Sequence, residues 1–457
     1  MNGGQESDID NLWKSDKIRK MKDVLKKISE TVDAQSEELF QFTQNLVRIP
    51  SLPGKEQPAQ ALVAKKLEAL NLKVDRLRSD YDELKNHPAY GDDGLASKDR
   101  INIIGRWKGV HSRGPAPSTA RSLILNGHID VVPPGNDAFW EDSPWSGAIK
   151  NGKLYGRGSC DMKAGLASAL FAIQALQSVG FGPVQDLLFE SVIGEESGGI
   201  GTLTTLVKGY EADAAIVLEP TRLNICPVQA GALAFRIKIA GRSAHACLKK
   251  SGESAIEKFC FLFEALNELE KRRHREQSNA LYDDPHQIAP LNIGTIRGGS
   301  WHSTVPDEVV IEGRFGVFPS ESIEKAKSAL AQTLDQTAEK DPWLKNHPPS
   351  LEWIEGQFEP ACADLGAPII QTLSDCFQAV AGHRAKLEGV TYGSDLQLFI
   401  NYGKIPAVLF GPGDIAQAHS VDEYVSLGDV ILCTKVLAST ILCWCGGVSA
   451  DIHPAAR

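Results

Sequence analysis

What this chain lacks removes several classes of protein. Its first twenty residues, MNGGQESDIDNLWKSDKIRK, carry acids and contain no apolar h-region, so the segment does not read as a secretory signal. No CxxC pair occurs among the nine cysteines. The single CxC, Cys443 and Cys445, reads as buried apolar packing rather than a metal site, and a reducing cytoplasm suits such usage. Positive charge is in deficit, with 48 Lys and Arg against 58 Asp and Glu for a net −10. That balance argues against nucleic acid or an anionic membrane as partner. The longest apolar stretch, 430–448, is interrupted by Thr434, Lys435, Ser439 and Thr440. A lysine in mid-segment favours a buried terminal helix over a membrane span. Internal repeats and low-complexity tracts are absent.

What is present is enough apolar sequence, 42% of 457 residues, for a core spread over two or three domains. Apolar residues recur at helical spacing over 17–49 until Pro50 and Pro53 stop the pattern, and a second helix is expected over 57–72 before the strand LKVDRL. The Gly-, Pro- and charge-rich 86–118 reads as a surface excursion around one strand, INIIGRW. SLILNGHID, DLLFESVIG and DAAIVLE are then near-continuously apolar, each closed by polar or acidic residues, with helical AGLASALFAIQALQSVGF between the first two. Such runs indicate a sheet buried on both faces, an α/β arrangement with its chemistry at the carboxyl ends of strands. The texture changes at 232–240, where ALAFRIKIA alternates. A helix over 253–273, two further strands and a helix over 322–339 complete a small α+β unit. After Pro348 and Pro349 the buried-sheet texture returns with IPAVLFGPG. The parse is one discontinuous α/β domain, 1–230 and 346–457, split by an inserted α+β domain, 231–345.

The strand ends carry the chemistry. His128 and Asp130 lie two apart on one strand face, and a carboxylate beside a histidine can hold its ring as a metal ligand; a satisfied polar pair is the plainer reading. Asp161, in GRGSCDMKAG, precedes a helix. It reads either as a placed ligand or as that helix's N-cap, and the segment has neither Walker nor GxGxxG spacing. Glu195 and Glu196 close a strand as adjacent acids, which repel unless a cation sits between them. Glu219 ends IVLEP, and His419 follows GPGD. Together, His128, Asp161, Glu196, Glu219 and His419 can supply five ligands to a pair of divalent cations, three each with one shared, leaving Glu195 as a base.

In this set of motifs the chain resembles the aminoacylase, acetylornithine deacetylase and succinyl-diaminopimelate desuccinylase family of dinuclear zinc hydrolases. GHIDVVPPG, GRGSCDMKAG, GEESGG, the LEP tip and AHSVDEYV stand in that family's order. The resemblance implies a mixed-sheet zinc-hydrolase domain with an inserted lid and dimerisation domain. It implies that His128 and Glu219 bind one zinc (cobalt being the alternative), Glu196 and His419 the other, and that Asp161 bridges. Asp130 would orient His128, and Glu195 would be general base and then proton donor. GRSAH resembles the lid histidine motif that in dimeric members reaches the partner's site, making His245 the oxyanion donor and implying a homodimer. The family's carboxylate-gripping arginine falls at Gly316 here. Arg314 is therefore the candidate substrate contact, with Ser303 standing where relatives place Asn. The activity implied is removal of an acetyl, formyl or succinyl group from a small N-acyl amine or amino acid, with a dipeptidase or carboxypeptidase as the alternative.

Overall fold

The computed structural model describes residues 16–91, 94–95, 100–110, 119–275, 279–354 and 356–449. In it the apolar runs form the middle of a nine-stranded mixed sheet. The order is Lys73–Arg78, Ile101–Trp107, Leu187–Val192, Leu123–His128, Ala215–Val217, Ala407–Leu409, Ile225–Gln229 and Ala361–Cys362, with Leu387–Val390 also paired to Ile225–Gln229. Leu123–His128 runs parallel to both neighbours, so three segments end at the same edge. Leu125, Phe189 and Ile216 enter the core shared with helices Ala164–Ser178 and Leu427–Cys445. Ile124, Leu188 and Val217 pack on the opposite face with Leu396 and Phe399. With both faces covered, these strands need no polar alternation.

The helical pattern over 17–49 becomes two helices, Asp16–Ala34 and Ser36–Val47, broken at Gln35. The one expected over 57–72 ends earlier, as Gln57–Ala69, because Asn71 turns the chain with φ +55°. Within 86–118 the strand Ile101–Trp107 forms as expected, while 92–93, 96–99 and 111–118 lie outside the described residues. Leu427–Cys445 is, among the described residues, the one helix long and apolar enough to cross a membrane; 61% of its apolar window is buried inside the protein. Its Lys435 pairs with Asp33 at 2.7 Å.

A second sheet, wholly antiparallel, has the order Leu291–Gly298, Glu308–Val317, Gly231–Ala240, Ser350–Trp353. Phe235, Ile237 and Ile239 are buried beneath helices Ala255–Arg275 and Ile323–Ala338, which supply Leu262, Leu266, Leu330 and Leu334. Arg236 and Lys238 point away from this core, which is why the sequence alternates here. Ser322 caps the second helix by accepting the Lys325 N–H at 3.2 Å. Ser350–Trp353 lies past residue 345 and still pairs in this sheet.

One buried acid in the large sheet yields a pH prediction. Glu190 accepts from Asn126 Nδ2 (3.0 Å) and Thr205 Oγ1 (3.3 Å), and its Oε1 has no partner. Burial, opposed by those hydrogen bonds, pushes its carboxyl up to about 7 from 4.5. The folded state therefore holds a proton that the unfolded chain has released, and this contribution is lost as pH rises from about 4.5 through about 7. Glu190→Gln, a neutral isostere, is expected to raise Tm at about pH 8 and change it little at about pH 5. Calorimetry at the two pH values checks this; equal shifts at both would disprove it.

Candidate metal centre

The three strands that end together deliver their next residues to one place. His128 closes its strand fully buried, and its Nε2 lies 3.0 Å from Asp161 Oδ1, 3.9 Å from Glu219 Oε1 and 4.0 Å from Glu195 Oε2. Asp161 also presents Oδ2 to His419 Nε2 at 3.5 Å, and His419 Nε2 is 3.1 Å from Glu196 Oε2. One carboxylate thus faces both histidines, with one oxygen for each. Two overlapping groups, His128 with Glu195 and Glu219 and His128 with Asp161 and Glu196, bring their ligand atoms close enough to hold an ion.

Local backbone explains the placement. Gly158 takes φ +80°, turning the chain ahead of Asp161. Asp161 itself is extended (φ −117°, ψ 96°), off the following helix and buried between the two histidines. That helix begins at Ala164 with Lys163 at its N-cap and no side-chain cap, so the N-cap reading of Asp161 does not hold. Gly165 lets the helix lie against the Glu219 strand, since a Cβ there would sit 2.3 Å from the Leu218 carbonyl oxygen.

The donor set fits divalent cations on its own chemistry. Four carboxylates and two histidines come together here, with His128, Asp161, Glu195 and Glu219 buried, Glu196 half-buried and His419 exposed at the edge. Burial, with the charges of neighbouring acids, holds Glu195 and Glu219 well above the usual carboxylate range and raises Glu196. Burial also works against a charged His128, but the Asp161 hydrogen bond and the charges of Glu195 and Glu219 outweigh it and raise the imidazole. The Glu196 hydrogen bond lifts His419 to about 9. Cations among these oxygens would remove the repulsion that otherwise forces protons onto them.

Asp130 sits differently from its expected role. His128 Nδ1 meets the Asp130 main-chain oxygen at 2.9 Å, with the carboxylate farther off at 3.8 Å. That carboxylate instead accepts the N–H groups of Glu195 (3.4 Å) and Glu196 (3.2 Å). Arg314, on strand Glu308–Val317, is an exposed residue with no ion pair among the described residues; desolvation by nearby protein lowers its guanidinium while the Glu195 charge raises it. Gly316 has no room for an arginine, because a Cβ there would lie 2.4 Å from the Ala289 carbonyl carbon. His245 and Ser303 are neighbours on the second sheet's loops, joined by the His245–Thr304 bridge and the Ala246 N–H to Ser303 oxygen bond (2.9 Å). Neither touches the metal cluster within the described residues.

Two residues near the cluster escaped the sequence reading. Asp395 is buried, accepts from Thr202 Oγ1 at 2.6 Å, and is pushed to about 6 by burial. Gly199, at φ +83°, makes room for it, since a Cβ would stand 2.5 Å from Asp395 Oδ1. Tyr392 is a phenol whose O–H donates to the Pro220 oxygen at 3.4 Å, beside Glu219. The available signal was LEGV followed by TYGSD, again a strand closed by polar and acidic residues.

A mixed α/β sheet with an acid- and histidine-rich centre at its strand ends defines a metal-dependent hydrolase. Residues 124–442 match the profile of peptidase family M20/M25/M40, and the chain belongs to that family, as an amidohydrolase of its deacylase branch. It is 32% identical over 446 residues to the N-formyl-4-amino-5-aminomethyl-2-methylpyrimidine deformylase of Halalkalibacterium halodurans, covering 92% of this chain and 98% of that protein. To the acetylornithine deacetylase of Myxococcus xanthus it is 29% identical over 357 residues, covering 77% and 86%. Among solved structures, the di-peptidase Dug1p of Saccharomyces cerevisiae shares the fold with a TM-score of 0.72 at 15% identity, covering 92% of this chain and 98% of that one. A dinuclear metal binding peptidase of the M20 family from Bacillus subtilis does so at 0.56 and 16%, covering 90% and 98%.

Proposed function

We propose that the chain is a two-metal N-deacylase, removing a formyl, acetyl or succinyl group from an amine or amino acid, with an N-formyl aminomethylpyrimidine first among substrates. The observation that carries this reading is Asp161, which offers one oxygen toward His128 and the other toward His419. On this reading His128 and Glu219 hold one cation, Glu196 and His419 the other, and Asp161 is shared. Zinc is the first candidate and cobalt the second; when bound, such ions acidify a water and polarise an amide carbonyl.

Glu195 makes no side-chain hydrogen bond among the described residues, so its carboxylate is free to take the water's proton and return it to the departing nitrogen. Asp130 holds the backbone of Glu195 and Glu196 together, keeping base and ligand aimed in different directions. Arg314 and Ser303 would bind the polar ends of the substrate. The N-formyl preference is supported by the 32% identity to the deformylase, which spans nearly all of both chains.

The division into a catalytic domain, 1–230 and 346–457, and a lid, 231–345, belongs to the same reading, with Ser350–Trp353 extending the lid sheet. His245 would supply an oxyanion donor to a partner's site in a homodimer formed through the lid. Support comes from apolar side chains exposed there: Ile256, Phe261 and Phe263 on helix Ala255–Arg275, and Ile296 on the edge strand Leu291–Gly298. Nine free thiols suit a reducing cytoplasm.

The test is a panel of the N-formyl pyrimidine amine, N-acetylornithine, N-succinyl-diaminopimelate and free dipeptides, assayed with added zinc or cobalt. The N-formyl substrate is expected to have the highest kcat/KM. A preference for dipeptides would replace the deacylase with a peptidase.

A further inference from the structure

Glu423 lies in the AHSVDEYV segment, four residues beyond His419, and has no place in the chemistry above. Its side chain is fully buried. Oε1 accepts two main-chain hydrogen bonds, from Cys160 N–H at 2.9 Å and Asp161 N–H at 3.2 Å. Oε2 receives the Arg157 guanidinium at 2.6 Å. Its own carbonyl oxygen accepts from Gly156 N–H (2.8 Å) and Ser159 Oγ (3.3 Å). One residue thus spans Gly156 to Asp161.

The surrounding chain makes this a connection between two loops. Tyr424 pairs with Tyr155 as Tyr424–Ser426 lies antiparallel to Lys153–Tyr155. The segment that brings in His419 is therefore laid along the segment that brings in Asp161, and Glu423 bonds the backbone of Asp161 itself. His419 and Asp422 both occupy left-handed conformations (φ +58° and +56°), which a non-glycine residue holds only where its surroundings impose them. The Asp422 carboxylate accepts the Glu141 N–H at 2.8 Å, fixing one side of that turn, and Glu423 fixes the other.

We infer that Glu423 is a positioning residue that locks the Asp161 and His419 loops into one unit, so that the shared carboxylate and the second histidine are presented to the cation pair together. The inference rests on the two-metal reading of the cluster. The chemistry calls for a carboxylate, because all three partners donate: two N–H groups on one oxygen, a guanidinium on the other. Glutamine would aim an N–H₂ at a donor and leave Arg157 buried without its counter-charge.

The test compares metal binding in the full-length wild type, Glu423→Gln, Glu423→Asp and Glu321→Gln, each stripped with chelator and titrated with Co²⁺ by calorimetry and visible absorption. Glu321→Gln is the control, because it weakens another buried pair, Arg273–Glu321 at 2.5 Å, that contacts no proposed ligand. Wild type is expected to take up two equivalents. Glu423→Gln should bind them about 10- to 100-fold more weakly, the usual cost of losing a group that orients metal ligands. Its kcat should recover at saturating Co²⁺, since Glu423 touches no reacting atom. Glu423→Asp keeps the charge opposite Arg157 and so the fold, but draws back from the N–H groups; it should fall between. Glu321→Gln should lower Tm and leave Co²⁺ affinity unchanged. Wild-type affinity in both Glu423 variants would overturn the inference, as would equal weakening in Glu321→Gln, and in either case the two-metal reading would stand. Wild type binding fewer than two equivalents would overturn that reading and this inference with it.

Discussion

Glu195→Gln is expected to lower kcat by about 10²- to 10⁴-fold, the range of a lost general base, while two equivalents of metal remain bound. The separation follows from how Glu195 is held. Its backbone N–H is bonded to Asp130, and that anchor does not depend on the side chain. Its carboxylate stands 4.0 Å from His128 Nε2 with no hydrogen bond of its own among the described residues. Glutamine keeps the volume and loses only the ability to carry a proton. Elemental analysis beside steady-state kinetics checks both halves. Full turnover in Glu195→Gln would sink the mechanism, and lost metal would make Glu195 a ligand instead. The acidic limb of the wild-type kcat/KM profile, which reports protonation of the free enzyme's base, should change with this substitution.

The second large effect concerns Asp161. Asp161→Ala is expected to abolish paired metal binding and to reduce hydrolysis to background, because each of its oxygens addresses a different histidine. Stability gives an independent readout. Metal that binds only the folded state stabilises it by about 2.7 kcal/mol for each site held at 100 times Kd, so wild type should melt at clearly higher temperature with zinc than with chelator. In Asp161→Ala that difference should largely vanish. Metal-free Asp161→Ala should itself melt below metal-free wild type. Burial raises the Asp161 carboxyl, but the His128 hydrogen bond and the His128 and His419 charges outweigh it and hold the group below its ordinary value, a stabilising contribution that alanine loses. The readout is therefore the zinc-minus-chelator difference within each protein. A preserved zinc-dependent rise in Tm would show that Asp161 is not shared between the ions.

Much of the fold could be read along the chain, and for definite reasons. Leu123–His128 and Leu187–Val192 are buried at every position, which suppresses alternation and leaves an apolar run that stops sharply at a histidine or an acid. Gly231–Ala240 has one face on helices and one turned away, and its sequence alternates accordingly. Helix limits were less legible: Gln35 and Asn71 end helices through backbone conformation that the apolar pattern does not encode.

Reach across the fold was beyond the sequence. Asp130 looked like a partner for His128 because the two are near neighbours on a strand. Its carboxylate instead serves Glu195 and Glu196, some sixty-five residues on, once parallel pairing brings the two strand ends side by side. Asp395 becomes part of the setting only because Gly199 leaves it space, and the Glu195 charge acts on Arg314 although one follows a strand of the first sheet and the other stands on the second.

The sequence by itself determined which residue types stand at the strand ends, since burial on both faces forces polar groups to the ends and makes them visible there. Tertiary structure alone decided which oxygen meets which histidine, what Asp130 and Glu423 hold, and that Gly316 has no room for an arginine. Those outcomes depend on distances between segments far apart in the chain, which strand register and loop closure set and which no local run of residues encodes.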